Sequence, residues 1–268
     1  MREALEGAPP KRTSAQRPYH RNRFRKAFVA WPDPSQWRYL LRLGVSEIFE
    51  SVQGEGLSIG KPAVFLRLAY CNLKCVWCDS KFTWDWTQYD PRVEVSFLNI
   101  EEVERRIRGF LPRLLVVTGG EPLLQRHALG ELLMRLKPDY FVEVETNGTI
   151  APTDKLLAQV DRWNVSPKLE NSGNPAGKRE VADVLRLFAS LPNSVFKFVI
   201  QSDEDLLEVE RLIQEYSIPR DRVLLMPEGV DAGTVLARSW GLARHARRMG
   251  VGFTTRLHII RWGNRRGC

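Results

Sequence analysis

Long apolar runs are missing from this sequence. Nowhere do about 18 apolar residues follow one another, so no membrane-spanning helix is predicted. The N-terminus is charged but lacks the apolar stretch of a secretory signal. Cysteine is scarce, with four in 268 residues, which excludes a disulfide scaffold and fits a reducing, cytoplasmic setting. The four histidines, His20, His127, His245 and His258, stand far apart, and surface or packing roles are predicted for them. Acidic residues are outnumbered, 32 Asp and Glu against 40 Lys and Arg, for a net charge of +8. That excess is local. Residues 1–44 hold ten basic and three acidic residues, or +7, which leaves +1 for the other 224. The basic character belongs to a leader, so neither a nucleic-acid-binding body nor a membrane partner is predicted. The leader also holds Pro9, Pro10, Pro18, Pro32 and Pro34 and little apolar periodicity. It is expected to be a largely disordered tail, with Trp31–Trp37 packing onto the body.

What is present begins at about Val45. Short apolar runs alternate with amphipathic segments. Strands are predicted at Glu47–Ser51, Ala63–Leu68, Leu114–Thr118, Phe141–Glu145, Arg162–Val165, Val195–Ile200 and Val223–Met226. Helices are predicted at Ile100–Phe110, Leu123–Leu136, Thr153–Val160, Lys178–Phe188, Asp203–Tyr216 and Thr234–Met249. Asn99 and Glu102 read as a capping box at the first of these. Strands that are apolar throughout and alternate with helices make an α/β fold with a parallel, helix-covered sheet. Six of these strands fall between Ala63 and Met226. Ligands gather at the C-terminal ends of such strands.

Three of the four cysteines sit there, in CNLKCVWCDS, Cys71 to Ser80. A structural zinc site wants four ligands. Three thiolates suit a four-iron cube with one open iron. The other reading is zinc completed by Cys268, His127 or His258, but the second C-x2-C pair that zinc sites use is absent. A thiol redox centre would need only two cysteines.

The C-x3-C-x2-C spacing after a strand, with Trp77 before the last cysteine, resembles the radical S-adenosylmethionine (SAM) superfamily. EIFESVQGEG, RLAYCNLKCVWCDSKFTWD, TGGEP, ETNGT, SPK and LHIIRWGNRRG together resemble the 7-carboxy-7-deazaguanine synthase family within it. The resemblance covers about Ser46 to Gly267. It implies a partial (β/α) barrel of about six core parallel strands, open on one side, over a catalytic domain of residues 45–268. It implies a [4Fe-4S] cluster on Cys71, Cys75 and Cys78, with Trp77 beside it. Gly119, Gly120 and Glu121 would cradle the SAM methionine, with the Glu121 carboxylate accepting from its ammonium. Ser166 and Lys168 would meet SAM's ribose or carboxylate. Asn147, Glu145 and Gln201 are further SAM candidates, Gln201 on the adenine side. Val52, Gln53, Gly54 and Thr118 would face a pterin, and Arg67 would grip its carboxylate as a fork. Ser80, beside Asp79, would bind Mg2+ brought or completed by substrate. The main-chain carboxylate of Cys268 would accept from the amino-pyrimidinone edge.

The implied reaction is a ring contraction. An electron from a flavodoxin- or ferredoxin-type donor cleaves SAM, and the 5′-deoxyadenosyl radical takes hydrogen from carbon 6 of 6-carboxy-5,6,7,8-tetrahydropterin. Rearrangement yields 7-carboxy-7-deazaguanine and ammonia, SAM is reformed, and the product feeds 7-deazapurine (queuosine) synthesis. No side chain is required by the sequence to act as a general base. The resemblance also implies a homodimer. Two other readings share features of the chain. A radical-SAM activase that makes a glycyl radical on a partner protein would use the same cysteine spacing. A zinc-dependent nucleic-acid binder would use the basic leader.

Overall fold

The computed structural model describes residues 41–268. The expected leader lies outside the described residues except for its last four positions. Of these, Arg42–Gly44 belong to the first strand, so the folded body starts earlier than the composition suggests. The gain for these residues is a partner strand, since Arg42 to Val45 pair with Asn99 to Ser96.

The strands are β1 (Arg42–Val52), β2 (Pro62–Leu68), β3 (Ser96–Asn99), β4 (Leu114–Gly119), β5 (Phe141–Thr146), β6 (Arg162–Val165), β7 (Ser194–Ile200), β8 (Val223–Pro227) and β9 (Gly252–Phe253). The helices are α1 (Pro91–Glu94), α2 (Ile100–Arg108), α3 (Arg126–Leu136), α4 (Asp154–Gln159), α5 (Ala176–Arg179), α6 (Ala182–Ser190), α7 (Asp203–Glu215), α8 (Ala232–Met249) and α9 (Leu257–Trp262). The sheet order is β3-β1-β2-β4-β5-β6-β7-β8-β9. The six expected strands β2, β4, β5, β6, β7 and β8 run parallel, and β9 extends the run. β1 and β3 are antiparallel additions at the other edge. The sheet therefore has two ends and does not close, as in a partial barrel.

Alternation along each strand sorts two interiors. Val64, Leu66, Leu68, Val117, Val144 and Phe198 face outward into the helix layer and are fully buried. Each such side chain contributes about 1.5–3 kcal/mol of burial. The opposite face carries Phe65 and Val116 at one level and Arg67, Thr118, Glu145 and Lys197 at another. The inner face is thus apolar at the base and polar above it, which makes a container rather than a core.

Asn99 caps α2 by accepting from Glu102 N at 2.8 Å. The return half of the box is missing, because the Glu102 carboxylate is held by Arg105 and Arg106. The predicted helix 123–136 opens with a 3-10 turn, Pro122–Gln125. The predicted helix 178–188 is two helices, α5 and α6, divided where Glu180 turns extended and its carboxylate takes Arg211 and Tyr216.

Candidate active site

β2 ends at Leu68, and the next turns bring the cysteines over the strand ends. Two glycines make this possible. Gly119 has φ +141°, and a Cβ on it would collide with the Leu68 backbone; one on Gly120 would collide with that of Tyr70. Their absence lets Gly120 N donate to Leu68 O at 3.0 Å and Glu121 N to Tyr70 O at 2.8 Å. The freedom expected to serve a ligand thus also docks the cysteine loop on the β4 turn.

The three thiols line one cavity of about 340 Å3. Each sulfur accepts an N–H: Cys71 from Leu73 N at 3.5 Å, Cys75 from Asn174 Nδ2 at 3.3 Å, Cys78 from Trp84 Nε1 at 3.3 Å. Burial pushes the Cys71 thiol up to about 12 and raises that of Cys75. Metal-free, both are protonated at neutral pH, and ligation must release their protons. Among the described residues no three His, Cys, Asp or Glu converge as a single ion requires. Three separated sulfurs, each with a donor, fit the larger iron–sulfur cube. Of the residues offered to complete a zinc site, His127 is exposed on α3, while His258 and Cys268 border the cavity.

From the thiols the cavity passes Gly119, Gly120, Asn147, Ser166 and Lys168. Lys168 Nζ donates to Ser166 Oγ at 2.9 Å and lies 5.9 Å from the centre of the Trp77 ring. Trp77 itself donates to Asn171. The Asn147 amide donates to Asn72 Oδ1 at 2.9 Å and so ties the cysteine loop to the end of β5. Two expected SAM residues are placed otherwise. Glu121 is fully buried behind the wall; its oxygens accept from Leu123 N, Thr146 Oγ1 and Asn147 N. Burial raises its pKa, and the bonds its oxygens accept tie together the turns after β4 and β5. Gln201 is not in this cavity; it borders a separate depression with Ser202, Arg238 and His245.

The floor comes from the loop after β1 and from the C-terminal segment. Gln53 Nε2 donates to Glu145 Oε1 at 3.3 Å, and Thr118 Oγ1 to Glu145 Oε2 at 2.8 Å. Val52 and Gly54 line the wall beside them, and Gly54 O accepts from Leu257 N at 2.9 Å. Arg67 spends Nε on Glu47 at 2.8 Å; its two terminal nitrogens have no hydrogen bond among the described residues. Ser80 Oγ donates to Asp79 Oδ1 at 3.0 Å. Cys268 borders the same space.

Three residues of the floor, Glu55, Lys197 and Arg256, were not singled out from the sequence. Glu55 pairs with Lys197 and Arg256, and Arg256 also reaches Asp79. Burial raises the Glu55 and Asp79 carboxyls, but the neighbouring cations outweigh it and hold both below their ordinary range. Burial pulls down Lys197 and Arg256, and the carboxylates outweigh that in turn. The His258 pKa is held below its ordinary value, because burial lowers it more than Glu55 raises it. A lysine inside the apolar run SVFKFVI was the available signal for Lys197. Arg256 carries no local signal, and His258 was offered from the sequence only as a zinc ligand.

The pattern of the radical SAM superfamily matches residues 67–169. The 7-carboxy-7-deazaguanine synthase of Pyrobaculum aerophilum is 43% identical over 231 residues, 84% of this chain and 97% of that protein. The synthase of Hyperthermus butylicus is 37% identical over 224 residues, 81% of this chain and 92% of that protein. The crystal structure of QueE from Escherichia coli superposes with a TM-score of 0.59 at 23% identity, covering 85% of this chain and 99% of that one, a likeness of fold. Superfamily membership implies a [4Fe-4S] cluster and SAM, which the donor set above accommodates. With motifs, fold and near full-length relatives in agreement, the chain is a radical SAM enzyme that belongs to the 7-carboxy-7-deazaguanine synthase family.

Proposed function

We propose that this enzyme converts 6-carboxy-5,6,7,8-tetrahydropterin into 7-carboxy-7-deazaguanine with release of ammonia. The observation that carries the reading is one cavity joining three thiols to a floor of buried amide, hydroxyl and charged groups. Cys71, Cys75 and Cys78 hold the cluster, and Gly119, Gly120, Asn147, Ser166, Lys168 and Trp77 border SAM. When bound, cluster and SAM supply one-electron cleavage and hydrogen-atom abstraction.

The chain's own groups bind and orient. Arg67 is clamped through Nε and turns its terminal nitrogens to the substrate carboxylate. Gln53, Thr118 and the main chain of Val52 and Gly54 face the pterin edge, and the Cys268 main-chain carboxylate accepts from its amino-pyrimidinone. Lys197 and Arg256 keep Glu55 ionised, and His258 Nε2 lies 3.9 Å from Glu55 Oε1. A proton taken up on His258 is stabilised by that carboxylate. Ser80 offers Mg2+ one neutral oxygen next to an Asp79 already held by Arg256. Such a sparse donor set suits an ion completed by substrate oxygens and water. A flavodoxin- or ferredoxin-type donor and a homodimeric state complete the proposal. Among the described residues no helix is long and apolar enough to cross a membrane.

The test is anaerobic reconstitution followed by incubation with SAM, Mg2+, dithionite and the carboxypterin. Mass analysis is expected to show 7-carboxy-7-deazaguanine, at a rate that rises with Mg2+. Absence of that product from protein with a full cluster overturns the reading.

A further inference from the structure

Two of the three cavity thiols receive N–H groups from side chains outside the cysteine loop. Trp84 follows the 3-10 turn Lys81–Thr83 and places Nε1 3.3 Å from Cys78 Sγ. An indole nitrogen is a donor only, so the direction of this bond is fixed. Asn174 comes from the far side, after the turn Glu170–Ser172, and is 9% exposed. Its Oδ1 accepts from Lys74 N at 2.8 Å, inside the cysteine loop. That bond orients the amide and leaves Nδ2 facing Cys75 Sγ at 3.3 Å. Among the described residues Cys71 has only the main-chain Leu73 N, at the longer 3.5 Å.

A cluster that gains an electron spreads the added charge over its sulfurs. N–H dipoles aimed at those sulfurs stabilise the reduced state more than the oxidised one and raise the reduction potential. We propose that Trp84 and Asn174 are positioning residues that donate to the cluster thiolates of Cys78 and Cys75 and make the cluster easier to reduce than the loop alone would. The inference rests on those cysteines being the cluster ligands. Asn174 has a second part, since through Lys74 it also sets the shape of the loop.

Wild type, Trp84→Phe, Asn174→Ala and Asn174→Asp are reconstituted without oxygen. Iron and sulfide content and the electron paramagnetic resonance signal of the reduced protein are read first. A wild type without a cubane signal overturns the ligand assignment itself. In protein that holds a full cluster, the midpoint potential is then titrated. Each single loss of a donor is expected to cut the reduced fraction at a fixed potential about three- to tenfold, a tenfold change being about 59 mV for one electron. Asn174→Asp, which turns an oxygen toward the sulfur, is expected to lie lowest. Unchanged potentials with full clusters overturn the proposal, because a merely structural role alters cluster content and not potential. A second measurement needs no variant. Wild type grown with 15N-indole tryptophan is expected to show a nitrogen coupling at the reduced cluster, and its absence overturns the role of Trp84.

Discussion

Arg256 is the side chain on which the floor's charges balance. It is 7% exposed and joins Asp79 to Glu55. Replacing it by Met takes one partner from a part-exposed Asp79 and one of two cations from Glu55, which keeps Lys197, so the cost is at most the about 3–5 kcal/mol of breaking a fully buried pair from one side. Arg256→Met is therefore expected to lower stability by up to that amount in denaturant titration. The same groups set a pH dependence. His258 is held below its ordinary 6.5, so the unfolded chain takes up its proton first and stability drops as pH falls below that value. Glu55 and Asp79 are held below their ordinary 4.5 and 3.8, so their contribution is complete above those values and is lost as pH falls through the lower, folded ones. Thermal unfolding is expected to show two successive declines on acidification, and His258→Asn is expected to remove the first. A midpoint flat between about pH 8 and pH 5 would contradict the lowered pKa of His258. At this scale the cysteines, Arg67 and Thr118 were legible because motifs carry them. The pairing of Glu55, Lys197, Arg256 and His258 was not, because these residues meet from remote segments and no local pattern shows which charges face each other.

The decisive element is the β4 turn with its paired glycines. Gly120→Ala is expected to push the cysteine loop off Leu68 and Tyr70. Iron loading should fall while far-ultraviolet circular dichroism stays close to wild type; equal loading would contradict the docking role. At α7 the Asp205 carboxylate accepts from both Gln201 N and Ser202 N. Asp205→Ala is expected to cost about 1–2 kcal/mol, as loss of a helix-start partner does. Strands β4 to β8 were legible within a residue or two because their outer faces are unbroken Val, Leu, Ile, Phe and Trp. β3 and β9 were not, being short and largely exposed, and they exist only as partners to β1 and β8. α9 was missed for the same reason of length: its six residues show little more than one turn of pattern, and what fixes them is the bond from Leu257 to Gly54.

For the molecule as a whole, the parallel strands and the cysteine loop make one end of the cavity and the C-terminal segment closes the other. Arg266 lies 3.9 Å from the centre of the Phe82 ring and pairs with Glu47 and Glu94. Deleting residues 263–268 is expected to raise KM for the pterin several-fold more than KM for SAM, since only the floor loses a wall. Equal changes would place that segment elsewhere in the cycle. The parallel, helix-covered sheet was legible from strand and helix order, and the partial barrel only through the family resemblance. The walling of its cavity by the C-terminal segment was not, because it depends on pairings between distant parts of the chain rather than on any local pattern. Gly56 N, for instance, bonds Thr254 Oγ1 across 198 positions. Such a seam has a kinetic consequence. Joining segments so far apart in sequence is slow, so the substrate end should assemble last and come apart first. Pulse-labelled hydrogen exchange should find the amides of Gly56 and Leu257 protected later than those of β4 and β5. A refolding chain would then be ready to take iron before it can recognise what it acts on.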